Sequence, residues 1–291
     1  MNFFPEQTGV GKYSGEMAFW LAQNNHDIRV ISAPPYYPHW LTQKNYSSWT
    51  YKKEIINNVK IFRCPLFIPS KPNGLSRLIH LFSFAFLSMP VVFSQFFWKP
   101  DLVIMIEPSL LCSPAGLLLA KISKSKTLLH IQDFEVDAAL ELGMVSKIFK
   151  NIALSIERQL LNKFNAISTI SKSMKKKLGM KGIKVNNQFL FPNWSNLNEI
   201  THSKDLGRAF RIKEGFNKDD FLILYSGNIG KKQGLELVTE SAVNLKKNKK
   251  IKYIFCGDGV NKEKIVNLVH KNKLLNCFFY PLQDINEFNS M

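Results

Sequence analysis

Apolar runs rich in β-branched and aromatic residues recur along the chain and alternate with amphipathic stretches. Short runs of this composition predict strands, and apolar positions three or four residues apart predict helices. The predicted strands span residues 28–33, 60–64, 102–106, 127–132, 166–170, 188–191, 221–225, 253–256 and 277–280. The predicted helices span residues 13–24, 145–163, 235–247 and 262–271. This alternation is typical of α/β proteins with parallel sheets, in which most strands are buried on both faces.

The length of the chain, 291 residues, favours two domains rather than one small core. A polar stretch over 198–211 separates the strand that ends at 191 from a new strand that begins at Phe221. We therefore place a domain boundary near residue 205, which gives domains over 1–205 and 206–291.

Residues 78–98 form a long apolar run without a charged side chain. The run is long enough to cross a bilayer, but Pro90 interrupts it and His80 and Gln95 are polar. Three interpretations stay open: a buried helix, a helix lying in the membrane surface, and a true membrane span.

Composition indicates a globular protein, with 45% hydrophobic and 21% charged residues. Lys and Arg number 39 against 22 Asp and Glu, and the net charge of +17 favours phosphate-bearing partners such as nucleotides, anionic lipids or nucleic acids. The lysine clusters over 172–184 and 246–252 lack the interleaved aromatic residues that stack on single strands, so we expect no nucleic-acid partner. The cysteines are widely spaced and the N-terminus lacks a secretion signal, which predicts free thiols in the cytoplasm.

The first candidate site is the glycine-rich stretch PEQTGVGKYSGE, which begins at Pro5 and leads into a predicted helix. Gly9 and Gly11 would let a phosphate approach the backbone at a helix N-terminus, and Lys12 would add positive charge. The stretch matches neither a P-loop nor a dinucleotide fingerprint, so an ordinary helix-capping loop is the alternative. In a doubly wound domain such a loop follows the first strand, yet few residues precede it, so we expect that strand to be missing.

The second candidate site follows the predicted strand over 127–132, in the stretch LHIQDFEVD. Ligands of open parallel sheets bind outside the carboxyl ends of strands, which places His130, Gln132 and Asp133 within reach of a substrate. A purely structural histidine is the alternative. We find no metal-binding motif in the sequence.

The third candidate site is the stretch YSGNIGKKQGLE, again a strand, a glycine-rich loop and a helix start. Its donor-binding candidates are Gly227, Asn228, Lys231, Lys232 and Gln233. The glycines and the helix N-terminus would bind a diphosphate, and the lysines would neutralise its charge. Gly257 and Gly259 end the next strand and would shape the same cleft, although a plain strand-to-helix turn is the alternative there.

Together these stretches resemble glycosyltransferase family 4 (GT4), a family of retaining glycosyltransferases, and within it the bacterial polysaccharide branch that includes fucosyltransferases of colanic acid synthesis. The resemblance covers nearly the whole chain. The matching stretches are PEQTGVGKYSGE at 5–16, APPYYPHW at 33–40, HIQDFEVD at 130–137, STISKS at 168–173, FPNWS at 191–195 and YSGNIGKKQGLE at 225–236.

The resemblance implies the GT-B fold, with two Rossmann-like doubly wound domains, the first lacking its opening strand and the second incomplete at its C-terminus. Residues 1–205 would form the acceptor-side domain and residues 206–291 the first half of the nucleotide-sugar-binding domain. Glycine-rich loops of both domains would face each other across a cleft and bind the donor diphosphate. His130 would contact the transferred sugar, and Asp133 is the second catalytic candidate.

Two departures from the GT4 pattern bear on activity. The family has Arg after the first glycine of the C-terminal loop and Lys before the last, where this chain has Asn228 and Gln233, so Lys231 and Lys232 would substitute. The family also continues into an acidic motif that binds the sugar and ribose of the donor, and this chain stops before it. We therefore expect the chain to be inactive or impaired.

The implied reaction is transfer of a hexose, with fucose among the candidates, from a nucleotide diphosphate sugar to a lipid-linked glycan of exopolysaccharide, capsule or O-antigen, with retention of anomeric configuration. No cofactor and no metal are implied, because catalysis would rest on positioning and on electrostatic stabilisation of the departing diphosphate. We expect a cytoplasmic enzyme in peripheral contact with anionic lipid on the inner face of the plasma membrane.

We weigh three other classes of function, and two of them stay open. The chain could be a non-catalytic fragment that binds a partner or a membrane, or a nucleotide-sugar epimerase of GT-B fold. A dinucleotide-dependent oxidoreductase is disfavoured, because that class has an acidic residue after the second strand and this chain has Ala33 and Pro34 there.

Overall fold

The computed structural model describes residues 1–6, 9–141, 147–183, 187–195, 197, 199–201 and 203–291, without the side chains of Glu141, Lys147 and Lys232. The chain divides into two compact units, Met1–Trp194 and Ser195–Met291. Trp194 belongs to the first unit because its indole packs on Tyr13 and donates to Glu16. The boundary predicted near residue 205 falls inside the second unit, in the helix Lys204–Lys213.

Strands and helices alternate along the chain, as predicted. The strands are β1 Arg29–Ser32, β2 Lys52–Ile56, β3 Val59–Arg63, β4 Leu102–Glu107, β5 Lys126–Ile131, β6 Ala166–Thr169, β7 Gln188–Leu190, β8 Phe221–Ser226, β9 Ile251–Cys256 and β10 Cys277–Tyr280. The α-helices are α1 Gly9–Gln23, α2 Gly74–Ser94, α3 Ser113–Ser123, α4 Glu135–Glu141, α5 Lys150–Leu161, α6 Lys172–Met180, α7 Lys204–Lys213, α8 Leu235–Asn244, α9 Lys262–Lys271 and α10 Ile285–Phe288. All nine predicted strands are present, and the first two residues of the helix predicted over 145–163 lie outside the described residues.

The first unit contains two sheets. In the larger sheet β4, β5, β6 and β7 lie side by side and run parallel, so that His130 of β5 stands between Ile106 of β4 and Ser168 of β6. Apolar side chains of β5 and β6 form the core with α5 and α6. β4 is an edge strand of this sheet, and its apolar residues 102–106 are therefore only half buried, contrary to the expectation of burial on both faces.

The smaller sheet of the first unit, in the order β1-β3-β2, adds one antiparallel pair to the predicted parallel arrangement. β1 and β3 run parallel, but β2 and β3 form an antiparallel hairpin. Asn57 and Asn58 make its two-residue turn with φ values of 48° and 63°, the left-handed conformation that such hairpins require. Sequence reasoning missed β2 because an edge strand that begins Lys52-Lys53-Glu54 lacks the apolar pattern of a buried strand.

The second unit contains one parallel sheet in the order β10-β9-β8. The central strand β9 is buried over its last four residues, where it packs against α8 and α9. The outer strands β8 and β10 are half-exposed. The carboxyl ends of β8 and β9 therefore lie side by side, and both glycine-rich loops of this unit begin there. All four cysteines of the chain are free, as predicted.

Candidate active site

The N-terminal glycines have different roles in the structure. Gly9 has a φ of +59° and opens α1, and a side chain at this position would meet only open space. A Cβ at Gly11 would lie 2.7 Å from the Cβ of Glu6, and a Cβ at Gly15 would lie 2.9 Å from that of Phe4. Gly11 thus lets α1 pack against the preceding loop, whereas Gly9 alone combines a left-handed backbone with space for a ligand.

Glu6 is a buried carboxylate that sequence reasoning missed. Its Oε1 accepts hydrogen bonds from the backbone N–H groups of Tyr36, at 3.1 Å, and Tyr37, at 3.0 Å. The Asn2 amide donates to Oε2 at 2.9 Å. Burial raises the pKa of Glu6 and these hydrogen bonds oppose the rise. Glu6 therefore ties the loop before α1 to the APPYYP loop.

Lys12 is exposed on the first turns of α1, where its ammonium lies 3.9 Å from the Glu16 carboxylate. This surface pair leaves the lysine accessible to an anion. Gln7 and Thr8, in the middle of the predicted phosphate-binding stretch, lie outside the described residues.

His130 is buried at the carboxyl end of β5 and is held on three sides. Its Nδ1 lies 2.9 Å from the Ser168 hydroxyl, its Nε2 lies 3.0 Å from the Gln132 amide, and its ring meets Phe191 edge to face. Burial lowers the pKa of His130 to about 4. The imidazole is therefore neutral at physiological pH, a state suited to hydrogen bonding with a sugar hydroxyl rather than to charge compensation.

The FPNW segment closes over His130 and connects it to α1. Gln132 and Asn193 exchange two amide hydrogen bonds of 2.9 Å each. Trp194 donates from Nε1 to Glu16 at 2.7 Å and meets Tyr13 edge to face. Side chains of β5, the FPNW segment and α1 therefore surround one small pocket, lined by Tyr13, Ser14, Met17, Ile106, His130, Gln132 and Trp194.

Asp133, the other catalytic candidate, is exposed one residue beyond Gln132 and is not among the side chains that line this pocket. Two further carboxylates lie beneath the loop and were not predicted. Glu107 accepts a hydrogen bond from the Glu135 backbone N–H at 2.8 Å, and the Glu135 carboxylate accepts one from the Leu110 N–H. Burial raises the pKa of Glu107 well above its ordinary value. The pair fixes the start of α4, and with it the loop that carries Asp133.

In the second unit the two glycine-rich loops are joined by backbone hydrogen bonds. The Gly227 N–H donates to the Cys256 carbonyl at 2.9 Å, and the Ile229 N–H donates to the Asp258 carbonyl at 2.8 Å. Gly257 has a φ of +143°, and a Cβ there would overlap the Gly227 carbonyl. The loop after β9 therefore needs glycine for this close approach, at Gly257 and Gly259, whereas Gly227 is favoured by its φ of +149°. This packing role adds to any role in ligand binding.

The rest of the third candidate site is open to solvent. The side chains of Asn228, Lys231 and Gln233 are exposed, and Gly234 has a φ of +63° immediately before α8. The N-cap residue of α8, Gly234, has no side chain to cap the helix, and in the first turn the Glu236 carboxylate accepts from its own backbone N–H. The Lys232 side chain lies outside the described residues.

A hydrogen bond from Lys264, together with one from Asn261, lowers the pKa of Glu236 to about 2. The Glu236 carboxylate, in the first turn of α8, is thus bonded to Lys264 of α9 and to Asn261, the residue that precedes α9. Among the described residues Glu236 pairs with Lys264 and not with Lys231, so the Lys231 ammonium stays available to an anion.

Comparisons with known proteins identify the family of the chain. The family model described as "Glycosyl transferase 4-like domain" matches residues 8–194, and "Glycosyl transferases group 1" matches residues 208–288. The chain is 44% identical over 288 residues to the colanic acid biosynthesis glycosyl transferase WcaI of Escherichia coli K12, covering 97% of this chain and 70% of that relative. The chain belongs to glycosyltransferase family 4.

Solved structures show that this GT4 chain has the GT-B fold. Sucrose-phosphate synthase from Thermosynechococcus elongatus aligns with a TM-score of 0.69 at 15% identity, over 97% of this chain and 67% of its own. Anabaena HepE, solved in complex with UDP, aligns with a TM-score of 0.56 at 14% identity, over 78% of this chain and 56% of its own. The GT4 chain thus spans little more than half the length of HepE.

The residues matched by the two family models include candidate site residues predicted from the sequence. The third candidate site lies within the residues matched by the group 1 model, and His130 within those matched by the 4-like model. Asn228 and Gln233 are both exposed at the loop that precedes α8. The roles assigned to these residues stay predictions.

Proposed function

We propose that this chain transfers a hexose from a nucleotide diphosphate sugar to a lipid-linked glycan, in the synthesis of an exopolysaccharide related to colanic acid. WcaI supports the pathway by its name and by its 44% identity. HepE has been solved with UDP and with UDP-glucose, which supports a nucleotide-sugar donor for a chain of the same fold. We include fucose among the candidate sugars and retention of anomeric configuration as the stereochemical course.

One observation carries the donor assignment. The N-terminus of α8, with Gly234 at its N-cap, follows a glycine-rich loop and an exposed lysine, Lys231. Backbone N–H groups at a helix start and a nearby ammonium together favour a diphosphate. The same groups would stabilise the negative charge that develops on the leaving diphosphate, so the proposed mechanism is electrostatic and uses neither a protein nucleophile nor a cofactor.

In the first unit we propose that neutral His130 contacts the transferred sugar. Ser168 and Gln132 occupy the two ring nitrogens, so a hydrogen bond to a sugar hydroxyl requires the hydroxyl to replace one of these partners. Asp133 is proposed as a second catalytic residue on the strength of its exposed position beside this loop.

The binding test uses isothermal calorimetry of the full chain with a panel of UDP- and GDP-sugars. We expect one donor to bind, and Lys231→Ala to weaken that binding roughly three- to tenfold, the effect of losing one charge-assisted contact of about 1 kcal/mol. Lys249→Ala is the matched control, because Lys249 is also an exposed lysine of the same unit and lies in the loop between α8 and β9. Equal affinities for both variants would remove Lys231 from the site.

The reaction test separates the proposed function from its alternatives. The donor that binds is incubated with and without a bacterial lipid extract, and the products are analysed by mass spectrometry and NMR. Glycosylated lipid with retained configuration supports the proposal. An epimerised donor without acceptor indicates the epimerase, and donor binding without any product indicates a non-catalytic fragment.

A further inference from the structure

Helix α2 presents a continuous apolar stripe to solvent. Its exposed positions recur every three or four residues and continue into the turn that follows the helix. They are Leu75, Ile79, Phe82, Phe86, Pro90, Phe93 and Phe97. The Phe86 side chain is 71% exposed and the Phe97 side chain is 87% exposed. Single exposed apolar residues are normal, but a contiguous exposed stripe of them indicates an interaction surface. A helix with this stripe turned outward lacks a partner within the described first unit.

Polar contacts on the opposite face fix the orientation of α2. His80 is buried, with Nδ1 2.6 Å from the Phe67 carbonyl and Nε2 2.9 Å from the Tyr36 hydroxyl. Further along, the buried Gln95 accepts from Arg29 at the start of β1. The buried side of the helix combines His80 and Ser88 with Phe84 and Ala85, whereas its exposed side carries aromatic residues where a helix in a water-soluble protein has polar ones.

Neighbouring elements widen this surface. The Tyr51 hydroxyl donates to the Leu87 carbonyl at 2.8 Å, which holds the half-exposed Tyr51 ring beside α2. Leu118 and Ile122 on the adjacent α3 are also about half exposed. We call the α2 stripe together with Tyr51, Leu118 and Ile122 the α2 face.

Positive charge predominates around the α2 face, although Asp27, which accepts from the Trp98 indole, and the exposed Asp101 lie beyond its C-terminal end. No Asp or Glu occurs over residues 55–100, and none over residues 108–132. Exposed lysines lie beyond both ends of the stripe, at Lys71 and Lys99, and on α3 and just after it, at Lys121 and Lys124. Aromatic side chains ringed by lysines match the boundary between acyl chains and anionic headgroups.

We propose that the α2 face docks into the surface of an anionic lipid bilayer, with α2 lying in the membrane plane and the flanking lysines on the headgroups. By length and composition the segment Gly74–Phe97 could also cross a membrane. A span would have to break the hydrogen bonds of His80 to Phe67 and Tyr36 and of Gln95 to Arg29, and would expose both side chains to lipid, which is costly. The choice of a lipid bilayer as the partner rests on the proposed function, because a lipid-linked acceptor lies at a membrane surface.

The test is flotation of the full chain with vesicles of phosphatidylcholine alone or mixed with phosphatidylglycerol. We expect the wild type to float with the anionic vesicles and not with the neutral ones, and 0.5 M salt to weaken the association. Phe82→Glu/Phe86→Glu should lose at least tenfold in bound fraction. Because both side chains are exposed, the glutamate variant should keep the melting curve of the wild type by circular dichroism. If the glutamate variant is destabilised, Phe82→Ser/Phe86→Ser replaces it in the flotation test.

The matched control is Ile152→Glu/Ile156→Glu, which places the same charges on the exposed apolar positions of α5. This variant should float like the wild type. Release by the α5 variant but not by the α2 variant would overturn the proposal, and so would equal flotation of all proteins. A wild-type dimer in sedimentation velocity that Phe82→Glu/Phe86→Glu splits, without vesicle binding, would instead assign the α2 face to a second copy of the chain.

Donor binding by the same variants keeps the two proposals distinct. Phe82→Glu/Phe86→Glu should bind the nucleotide sugar in solution as tightly as the wild type, because α2 carries none of the donor-binding residues. Loss of flotation with intact donor binding supports the α2 face. Flotation without any donor binding would leave the α2 face standing and count against the proposed reaction.

Discussion

The surroundings of His130 show how single side chains set the chemistry of the first unit. Ser168, Gln132 and Phe191 surround the imidazole and exclude water, and burial lowers its pKa to about 4. The sequence predicted the position of His130 at the end of a strand. It could not predict the neutral state, because Phe191 comes from a distant segment and only the fold brings its ring to His130.

A pH dependence of stability follows from this pKa. The unfolded chain binds a proton at His130 near pH 6.5, whereas the folded chain does so only near pH 4, so stability is lost as the pH falls through this window. The full shift corresponds to about 3 kcal/mol. His80 acts in the same direction, since burial lowers its pKa as well.

The variant His130→Gln isolates this contribution. It should lose less free energy of unfolding than the wild type when the pH is lowered from about 7 to about 5. Urea unfolding followed by Trp fluorescence measures the effect, because all five Trp residues lie in the first unit. Equal losses in both proteins would mean that His130 titrates normally in the folded chain.

The glycine-rich loops after β8 and β9 act as one element of structure. Their backbone hydrogen bonds extend the contact between the two strands, and the close approach of Gly257 to the Gly227 carbonyl leaves no room for a side chain. This requirement exists whether or not a ligand binds. A glycine-rich loop in a sequence can therefore reflect packing, phosphate binding or both. Gly11 and Gly257 both have a packing role in the structure.

We predict that Gly257→Ala destabilises the second unit by roughly 2 kcal/mol or more, because the backbone must move and φ is strained. Gly207→Ala in the interior of α7 is the control, since a Cβ there meets nothing within 4 Å. That variant should gain about 0.5–1 kcal/mol. Urea unfolding by circular dichroism follows both units, and Trp fluorescence follows the first unit alone, so the difference between the two signals reports the second unit. A Gly257→Ala variant as stable as the wild type would refute the packing role.

Elements with a strong apolar pattern could be predicted from the sequence, and others could not. All nine apolar strands are present, whereas the polar edge strand β2 escaped notice. Helix α2 shows the limit most clearly. Its run is apolar on almost every side, so periodicity alone could not say which face is buried. Hydrogen bonds of His80 and Gln95 to residues distant in sequence decide this.

At the scale of the whole molecule, the two units carry different parts of the proposed activity. The first unit contains the His130 pocket and the α2 face, and the second contains the glycine-rich loops and the N-terminus of α8. The net charge of +17 suits both an anionic donor and an anionic surface. Sequence reasoning could predict this charge but not its distribution, because the acid-free segments 55–100 and 108–132 come together only when α2 packs on α3.

The most direct measurement of the central claim is hydrogen–deuterium exchange of the full chain with and without the nucleotide sugar that binds in calorimetry. The account predicts slower exchange at the backbone amides over 227–236, where the loop and the first turn of α8 would donate to the diphosphate. Protection confined to other segments, with these amides exchanging as in the free protein, would contradict the assignment of the donor to the N-terminus of α8.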